Sequence, residues 1–430
     1  MNTTKKYVKE VLKHCFRSNL LISPFVKEIE KFYGLSEAEL HAAVNARFLK
    51  IFRKAITKSP FYKKLYAELG ISINDIKSVE DLSKLPVIDR YMVNRDPTKL
   101  LTTPKLFLNK SHTSGSTGAP LTVYNDYFSV LRERAYHYVF RKRCGFTYGK
   151  NKLASFRGDI KRDLLKLKID ISNVLFLSCY QINQDTVKKY YDELETFAPD
   201  AIEGFPSSLY NLCFLFKENG LKLSIPKCFT SSETLFDYER KLIEETLNTE
   251  LYDHYGNTER TIALDECLDQ RGYFAQPGYS INEFQDDCVI TTSLINSSFP
   301  LIRYKVPDII TLNPEPSFAN GELCIVKSID GRIEDNIVAK DGTKHGIVYH
   351  LFEGVQKIKL AQIVQEEIGR IEINIIPDGN FSDSEKIKFL KNIDQRIGLD
   401  NMECNINIVD DSKIIYTQRN KFRQIVSLLK

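Results

Sequence analysis

The first segment of this chain that could do chemistry is a run of hydroxyl-bearing and small residues: Thr113, Ser114, Gly115, Ser116, Thr117, Gly118, Ala119 and Pro120. Such residues let the backbone approach a polyanion closely, and their N–H and O–H groups can donate hydrogen bonds to phosphate oxygens. The run lacks the G-x-x-x-x-G-K-[ST] pattern, which disfavours a P-loop kinase or ATPase. Taken by itself, it is consistent with a phosphate-binding loop or with a plain flexible turn.

Length and composition limit the functions that this run can serve. The 430 residues leave room for about two or three domains. Hydrophobic residues make up 43% and charged residues 27% of the chain, which is typical of a globular protein and not of a disordered or fibrous one. No apolar stretch approaches the roughly 18 residues of a membrane-spanning helix, and the first residues lack the apolar region of a signal peptide. We therefore expect a cytoplasmic protein that binds no nucleic acid.

The nine cysteines are scattered, odd in number and never spaced as C-x-x-C. This pattern predicts reduced and mostly buried side chains. A structural zinc site is the alternative, but zinc sites usually show paired cysteine spacing.

Positive charge is concentrated at the start of the chain. Residues 1–64 contain 14 Lys and Arg against 5 Asp and Glu. Such a region can attract a nucleotide or the anionic inner face of a membrane, or it can be the solvated side of helices. Helical spacing supports the second interpretation, since Ser36 and Glu39 form a capping-box pattern before the apolar positions Leu40 to Ala55, with Arg47 on the outer side.

Beyond this basic, helical lead-in (residues 1–100), helices alternate with short strands, which predicts an α/β fold. We predict strands at Asp200 to Phe205, Lys227 to Thr230 and Glu250 to His254. We predict helices capped by Asp185, begun by Ser207, and running from Tyr238 to Leu247. Ligands of such sheets bind where the strands end in loops. After about residue 332 a strand, helix, strand pattern predicts a small α+β domain.

Six further segments follow the hydroxyl-rich run in a fixed order: Glu203 to Ser207, Thr230 to Glu233, Tyr255 to Glu259, Arg303 to Asp308, Gly331 to Asp335 and Asn420 to Arg423. With these segments, and with SPFYKKLYAELG and SVEDLSKLPVIDR before them, the chain resembles the adenylate-forming superfamily of acyl-CoA synthetases. The resemblance is to the branch of phenylacetate-CoA ligases and capsular polysaccharide biosynthesis (CapK-like) proteins, and it covers nearly the whole chain.

The resemblance implies a large N-terminal adenylation domain (residues 1–331) with mixed sheets and helices, and a small mobile α+β domain (residues 332–430). Between the two half-reactions of similar enzymes this small domain swings, which would place a hinge near Glu334. The implied cofactors are ATP and Mg²⁺, with coenzyme A as a possible acceptor.

The same resemblance assigns roles to individual residues. The segment Thr113 to Gly118 would hold the β- and γ-phosphates, Thr258 the α-phosphate, and Glu259 the magnesium ion. Lys421 would bridge the substrate carboxylate and the α-phosphate during adenylation. Nucleotide contacts are also implied for Ser232, Glu233, Tyr255, Gly256, Asn257, Asp308 and Arg332, of which Asp308 would bind the ribose hydroxyls and Tyr255 would lie beside adenine. Phe205, Ser231 and Tyr255 would line the acid pocket.

Each of these residues also has an ordinary structural interpretation, and the chain departs from the family pattern at several of them. Glu259 and Asp308 could be surface carboxylates, Tyr255 a core aromatic, and Lys421 one of 60 basic residues. Pro307 stands where a Gly often precedes the ribose-binding Asp, and this removes an N–H donor. Glu334 replaces a hinge Asp.

The acid and its acceptor are open at the level of sequence. One interpretation is an amide ligase of capsule or surface-polysaccharide biosynthesis, which joins an activated acid to an amine. The other enzymatic interpretation is an aryl- or acyl-CoA ligase, in which a thiol attacks. A non-catalytic nucleotide-binding scaffold is an alternative of another class, and peripheral membrane contact through the basic N-terminal region could accompany any of the three.

Overall fold

A computed structural model describes eighteen stretches of the chain. These are residues 19–112, 121–157, 166–169, 173–179, 181–233, 235, 237–269, 272–285, 288–306, 308, 310–319, 322–329, 337–345, 351–352, 355, 357–377, 380–415 and 425–429. Alternating helices and strands dominate them, as the sequence pattern predicts.

The described residues form nine helices, and those predicted after Ser36, near Asp185, at Ser207 and at Tyr238 to Leu247 are among them. They are α1 (Asn19–Tyr33), α2 (Glu37–Lys58), α3 (Pro60–Glu68), α4 (Arg90–Arg95), α5 (Tyr127–Arg143), α6 (Val187–Phe197), α7 (Pro206–Glu218), α8 (Asp237–Leu247) and α9 (Asp383–Arg396), with 3-10 turns at Val79–Lys84, Pro97–Leu100, Lys105–Phe107 and Asp411–Lys413. The predicted capping box of Ser36 and Glu39 is present at the start of α2. Asp185 does not cap α6, whose first turn follows Thr186.

The strands are β1 (Asn109–His112), β2 (Thr122–Asn125), β3 (Leu153–Arg157), β4 (Lys166–Ile169), β5 (Val174–Ser178), β6 (Ala201–Gly204), β7 (Lys227–Ser231), β8 (Glu250–Gly256), β9 (Ala263–Glu266), β10 (Tyr273–Ala275), β11 (Ser280–Gln285), β12 (Cys288–Ser293), β13 (Tyr304–Val306), β14 (Ile310–Ala319), β15 (Glu322–Ile329), β16 (Ile337–Val338), β17 (Lys344–His345), β18 (Ile358–Glu367), β19 (Arg370–Pro377), β20 (Glu403–Ile408) and β21 (Ile425–Ser427). The three strands predicted around residues 200, 227 and 250 are confirmed as β6, β7 and β8.

The largest sheet has ten strands in the order β14-β15-β10-β9-β8-β7-β6-β3-β5-β4. Its middle strands, β8, β7, β6, β3 and β5, are parallel neighbours, and antiparallel strands extend the sheet on both sides. Because the middle strands are parallel, β6, β7 and β8 all end at the same edge of the sheet. A separate antiparallel sheet, β11-β12-β13, and the hairpin pair β1-β2 complete this part of the chain.

Helices cover both faces of the parallel strands. On one face α6, α7 and α8 bury Leu194, Phe216 and Ile243 against Ala154 and Ile202 of the sheet. Residues one position along the same strands point the other way, since side chains alternate across a strand. They include Leu153 and Ala201, which pack with Phe140 of α5. Helix α1 lies against the outer side of α5 through Ile22, Val26 and Ile29.

A four-stranded sheet, β20-β19-β18-β21, forms near the end of the chain and is covered by α9. Phe389 and Ile393 of α9 are fully buried against Ile363, Ile371 and Ile373. This is the α+β arrangement that the strand, helix, strand pattern predicts. The boundary predicted at residues 331 and 332 lies outside the described residues and stays a prediction.

Two expectations are wrong, one about Arg47 and one about a pair of cysteines. Arg47 does not face solvent, because its guanidinium donates to the Gly278 carbonyl at 2.8 Å, pairs with Glu28 and lies over the Phe32 ring. Cys267 and Cys324 are not reduced thiols but form a disulfide with a Cα–Cα distance of 6.4 Å. These cysteines are 57 residues apart, so only the antiparallel pairing of β9, β10 and β15 brings them together. Across the described residues, no helix is both long and apolar enough to cross a bilayer.

Candidate active site

The candidate site lies at the edge of the large sheet where β7 and β8 end. Ser231 ends β7 and Ser232 follows it, and Gly256 ends β8 and is followed by Asn257 and Thr258. These residues line a cavity of about 240 Å³. Loops at the carboxyl ends of parallel strands are the usual position of ligand sites in α/β sheets. The fold therefore brings two of the predicted segments to one cavity, although they are about 25 residues apart in the chain.

A tight turn after β8 sets the direction of Thr258 and Glu259. The Asn257 side chain donates from Nδ2 to the Thr261 hydroxyl at 2.7 Å. Its Oδ1 accepts the Thr261 backbone N–H at 2.9 Å. The Arg260 N–H donates to the Asn257 carbonyl at 3.0 Å, and Arg260 has a left-handed backbone with φ of 56°. Because the turn is fixed at both ends, Glu259 is held inside the fold and not on the outer surface. Its side chain is only 9% exposed.

Two hydrogen bonds connect the predicted nucleotide residues with the segment Arg303 to Asp308. The Tyr255 hydroxyl donates to Asp308 Oδ2 at 2.6 Å. The hydroxyl of the buried Tyr304 donates to Glu259 Oε1 at 3.2 Å. A carboxylate that accepts an aimed hydroxyl is held in one orientation, so both acids are fixed before any ligand arrives. The surface-carboxylate interpretation of Glu259 and Asp308 does not fit these contacts.

Helix α5 supplies one wall of the cavity, although none of the predicted site residues lies in it. Glu133, Tyr136 and His137 lie three and four residues apart on α5, so they share one helix face that points into the cavity. Glu133 forms an ion pair with Arg260 and accepts the Tyr279 hydroxyl at 3.4 Å. Charged and polar residues are spread around the whole of α5, so no amphipathic pattern in the sequence distinguishes this face.

The imidazoles of His137 and His254 lie side by side in the cavity wall, with ring centroids 4.5 Å apart. Burial lowers the pKa of His137 well below its usual range, and the positive charges of Arg141, Arg260 and Arg134 lower it further. We therefore describe His137 as neutral. His254 is oriented by Asp265, whose Oδ1 lies 2.5 Å from Nδ1.

Asp265 is fully buried behind His254 and is held from its other side by the Gln276 carboxamide. The Tyr33 hydroxyl donates to Gln276 Oε1 at 3.0 Å, which fixes the amide orientation. Burial raises the pKa of Asp265, whereas His254 lowers it. A chain of hydrogen bonds from Tyr33 through Gln276 and Asp265 thus holds the His254 ring in the cavity wall.

A second charged cluster lies at the ends of β3 and β6. Glu203 accepts the Ser155 hydroxyl and the Arg141 guanidinium, both at 2.5 Å. Burial alone would raise the pKa of Glu203, but Arg141 and Arg157 together lower it to about 2. Glu203 is therefore ionised at all ordinary pH values and fixes Arg141 of α5 to the sheet.

The predicted pocket residues divide into those that reach the cavity and those that do not. Ser231 lines it together with Ser232, Gly256, Asn257 and Thr258. Tyr255 packs under the turn among Ile262, Leu264 and Val289, and is not part of the lining. Phe205 is half-buried before the first residue of α7, and the lining does not include it. Glu233 is half-buried after Ser232.

Several predicted residues lie outside the described part of the chain. They are Thr113, Ser114, Gly115, Ser116, Thr117, Gly118, Arg332, Glu334 and Lys421. The two strands that flank the hydroxyl-rich run are described, and they pair with His112 opposite Thr122. The phosphate, hinge and lysine assignments therefore stay predictions.

Comparisons with known proteins agree with the resemblance in the sequence. Residues 337–427 match the family of CapK C-terminal domains. The chain is 24% identical over 376 residues to protein CapK of Staphylococcus aureus, with 82% of each chain covered. It is 20% identical over 331 residues to the phenylacetate-coenzyme A ligase of Thermus thermophilus, covering 71% of this chain and 73% of that protein. A shorter match, 24% identical over 29% of this chain and 33% of the relative, is to an indoleacetate–lysine synthetase of Pseudomonas savastanoi.

A solved structure has the same fold. The crystal structure of 2-hydroxyisobutyryl-CoA ligase with 2-HIB-AMP and CoA superposes with a TM-score of 0.59. The match covers 92% of this chain and 91% of that one at 16% identity. The predicted α/β fold class is confirmed.

Proposed function

Because the chain is related in sequence to CapK and to phenylacetate-coenzyme A ligases and has the fold of a solved acyl-CoA ligase, we propose that it uses ATP to activate a carboxylic acid as an acyl-adenylate. The observation that carries this proposal is the position of the cavity. Ser232, Gly256, Asn257 and Thr258, which belong to two of the segments with implied nucleotide contacts, line it on one side. The polar wall of α5 faces it on the other side.

In the first half-reaction an oxygen of the acid attacks the α-phosphorus of ATP. A new O–P bond forms, the bond to the bridging oxygen of pyrophosphate breaks, and pyrophosphate leaves. Two anions must be brought together, which demands positive charge and oriented donors around the phosphates. Thr258 would donate to the α-phosphate, the segment Thr113 to Gly118 to the outer phosphates, and Lys421 to both reacting oxygens.

Asp308 would accept hydrogen bonds from the ribose hydroxyls, and Tyr255 would fix its orientation. Glu259 fits a magnesium ion, since it directly follows the cavity residue Thr258, its carboxylate is oriented by Tyr304, and magnesium usually takes one or two carboxylates plus phosphate oxygens. When bound, such an ion would neutralise phosphate charge. Ser232, Glu233, Gly256 and Asn257 would shape the nucleotide side, with Arg332 added from the hinge region near Glu334.

In the second half-reaction we propose that an amine attacks the acyl carbon. A C–N bond forms, the bond to AMP breaks, and the nitrogen loses a proton. The indoleacetate–lysine synthetase relative, named for an amine acceptor, supports this choice. The phenylacetate-coenzyme A ligase relatives support the alternative in which the thiol of coenzyme A attacks.

A pyrophosphate-exchange assay tests the first half-reaction directly. Radiolabelled pyrophosphate should enter ATP only when a suitable acid is present. Lys421→Ala should slow exchange by about 100-fold or more while ATP binding changes little, because the lysine would act on the developing charge. Undiminished exchange by this variant would remove Lys421 from the proposed role. A neighbouring basic residue outside the proposed machinery, replaced as Lys413→Ala, is the matched control.

Acceptor assays then separate the two ligase types. Release of AMP with an amino compound but not with coenzyme A supports the amide ligase, and the reverse supports the thioesterifying enzyme. A chain that binds ATP without acid-dependent exchange would instead be a nucleotide-binding scaffold.

Contact with an anionic membrane is a further proposal that rests on the charge of residues 1–64 alone. Two basic residues of this region are engaged inside the fold, since Arg47 binds Glu28 and Lys54 donates to Ser297 at 3.0 Å. Sedimentation with anionic liposomes at varied salt would test whether the remaining charge suffices.

A further inference from the structure

The cavity described above is polar on almost every side. Of the twelve described residues that line it, ten carry a side-chain nitrogen or oxygen, and Gly256 and Ala263 are the other two. Pockets for apolar ligands are lined predominantly by hydrophobic and aromatic side chains with a few polar groups. The lining of this cavity has the opposite balance.

His254 presents a hydrogen-bond acceptor to the cavity. Its Nδ1 lies 2.5 Å from the Asp265 carboxylate and must carry the proton of that bond, so in the neutral ring Nε2 is an acceptor. Nε2 lies 2.8 Å from the point where a Cβ on Gly256 would stand. Gly256 lines the cavity, and its missing side chain therefore leaves Nε2 uncovered.

Glu133 and His137 of α5 add further acceptors to the cavity lining. The Glu133 carboxylate accepts from Arg260 and Tyr279, but two oxygens offer about four lone-pair positions. A neutral imidazole at His137 has one acceptor nitrogen. Acceptors thus face the cavity from α5 and from β8.

The size of the cavity does not choose between classes of acid. A dry cavity of about 150 Å³ is enough for benzene, and this one measures about 240 Å³. An aryl acid and a small hydroxylated acid would both fit by volume. Polarity, and not volume, must therefore discriminate.

We infer that the acid activated here carries at least one hydroxyl or amino group besides its carboxylate, and that Glu133 and His254 accept hydrogen bonds from that group. This inference rests on the proposed function, because it assumes that the cavity holds the acyl group. An unsubstituted acid would leave the remaining acceptor positions of Glu133, His137 and His254 without partners. Sites that hydrogen-bond a substrate hydroxyl or amine can reject the analogue that lacks it by about 10⁴-fold or more.

Pyrophosphate exchange with two matched sets of acids tests the inference on the full chain. The polar set contains glycerate, serine and glucuronate. The apolar set contains 3-methylbutanoate, which has the same number of heavy atoms as glycerate and serine, and phenylacetate. We expect at least one polar acid to exceed both apolar acids in kcat/KM by about 100-fold or more. Comparison of glycerate with serine then distinguishes a hydroxyl from an amino group.

The outcomes separate the inference from the function on which it rests. Exchange that is supported by an apolar acid as well as by any polar acid overturns the inference and leaves the adenylation proposal intact. Absence of exchange with every acid of both sets overturns the adenylation proposal, and the inference with it.

Substitution of the acceptors gives a second, independent readout. Glu133→Gln should raise the KM of the preferred polar acid by about tenfold or more, leave the KM of ATP unchanged and leave the weak reaction of 3-methylbutanoate unchanged, because only the polar acid uses this acceptor. Glu30→Gln is the matched control. Glu30 lies in α1 and pairs with the exposed Lys142 of α5, the helix that carries Glu133. If Glu133→Gln does not fold, His254→Gln serves in its place. Equal loss with polar and apolar acids would assign these residues a structural role and overturn the inference.

Discussion

The buried ion cluster around Glu203 allows a prediction whose size follows from the structure. Glu203 is held by Arg141 from α5 and by Ser155 from β3, and Arg157 adds a second positive charge. Glu203→Gln keeps the size and shape of the side chain, removes its charge, and replaces one of its two acceptor oxygens with an N–H donor. Arg141 and Arg157 then lose the partner that balances them.

The magnitude follows from the shift in pKa. A pKa of about 2 in the folded chain against an ordinary value of 4.5 corresponds to roughly 3 kcal/mol of folding free energy at neutral pH, at about 1.4 kcal/mol for each unit. Because the pKa is lowered by folding, this contribution is complete above about pH 4.5 and is lost as the pH falls toward 2. The variant should therefore be about 3 kcal/mol less stable at pH 7, and this deficit should shrink by about 1 kcal/mol at pH 3.5.

Urea unfolding followed by far-UV circular dichroism at pH 7, 5 and 3.5 would measure both quantities. Glu250→Gln is the matched control, because Glu250 pairs with Lys227 at 2.5 Å but its side chain is 61% exposed. An exposed pair of this kind should contribute less than about 1 kcal/mol. A deficit for Glu203→Gln as small as that of the control, or one that is the same at pH 7 and 3.5, would refute the reasoning.

Two further predictions concern the segment Arg303 to Asp308. Tyr255→Phe removes the 2.6 Å hydrogen bond to Asp308. Since a hydrogen bond to a charged group contributes about 1.5–3 kcal/mol, the KM of ATP should rise about tenfold or more in the exchange assay, with a smaller effect on kcat. An unchanged KM would separate Asp308 from nucleotide binding. Arg303→Lys should destabilise the fold by about 1–3 kcal/mol in thermal unfolding. Lysine cannot reproduce both hydrogen bonds to Glu283 together with the 2.6 Å bond to the Leu85 carbonyl. A melting temperature equal to that of the parent protein would contradict this prediction.

Local patterns predicted the elements that hold the site. Apolar spacing and turn residues located β6, β7, β8 and the helices between them, because amphipathic period and capping chemistry are written in neighbouring residues. The order of short motifs also indicated the family, and the related proteins and the solved structure agree with it.

Errors occurred where long-range contacts override local pattern. Arg47 has the helical position of a solvent-facing residue, yet α1 and the Gly278 carbonyl meet it there. Cys267 and Cys324 carry no spacing signal, because the antiparallel strands that join them are set by sheet topology. Asp185 precedes α6 without capping it, since the chain reaches the helix through Thr186.

By itself, the sequence determined the α/β class and the chemical types available at the ends of the strands. Only the tertiary structure decided which of them share a cavity. In the structure Tyr255 lies under the turn and Phe205 lies outside the cavity lining. Glu133 and His137 line the cavity from α5, a helix that ends more than a hundred residues before β8 begins. The physical reason is that a pocket is formed by surfaces of separate elements, and the packing of α5 against the sheet depends on contacts that no local segment contains.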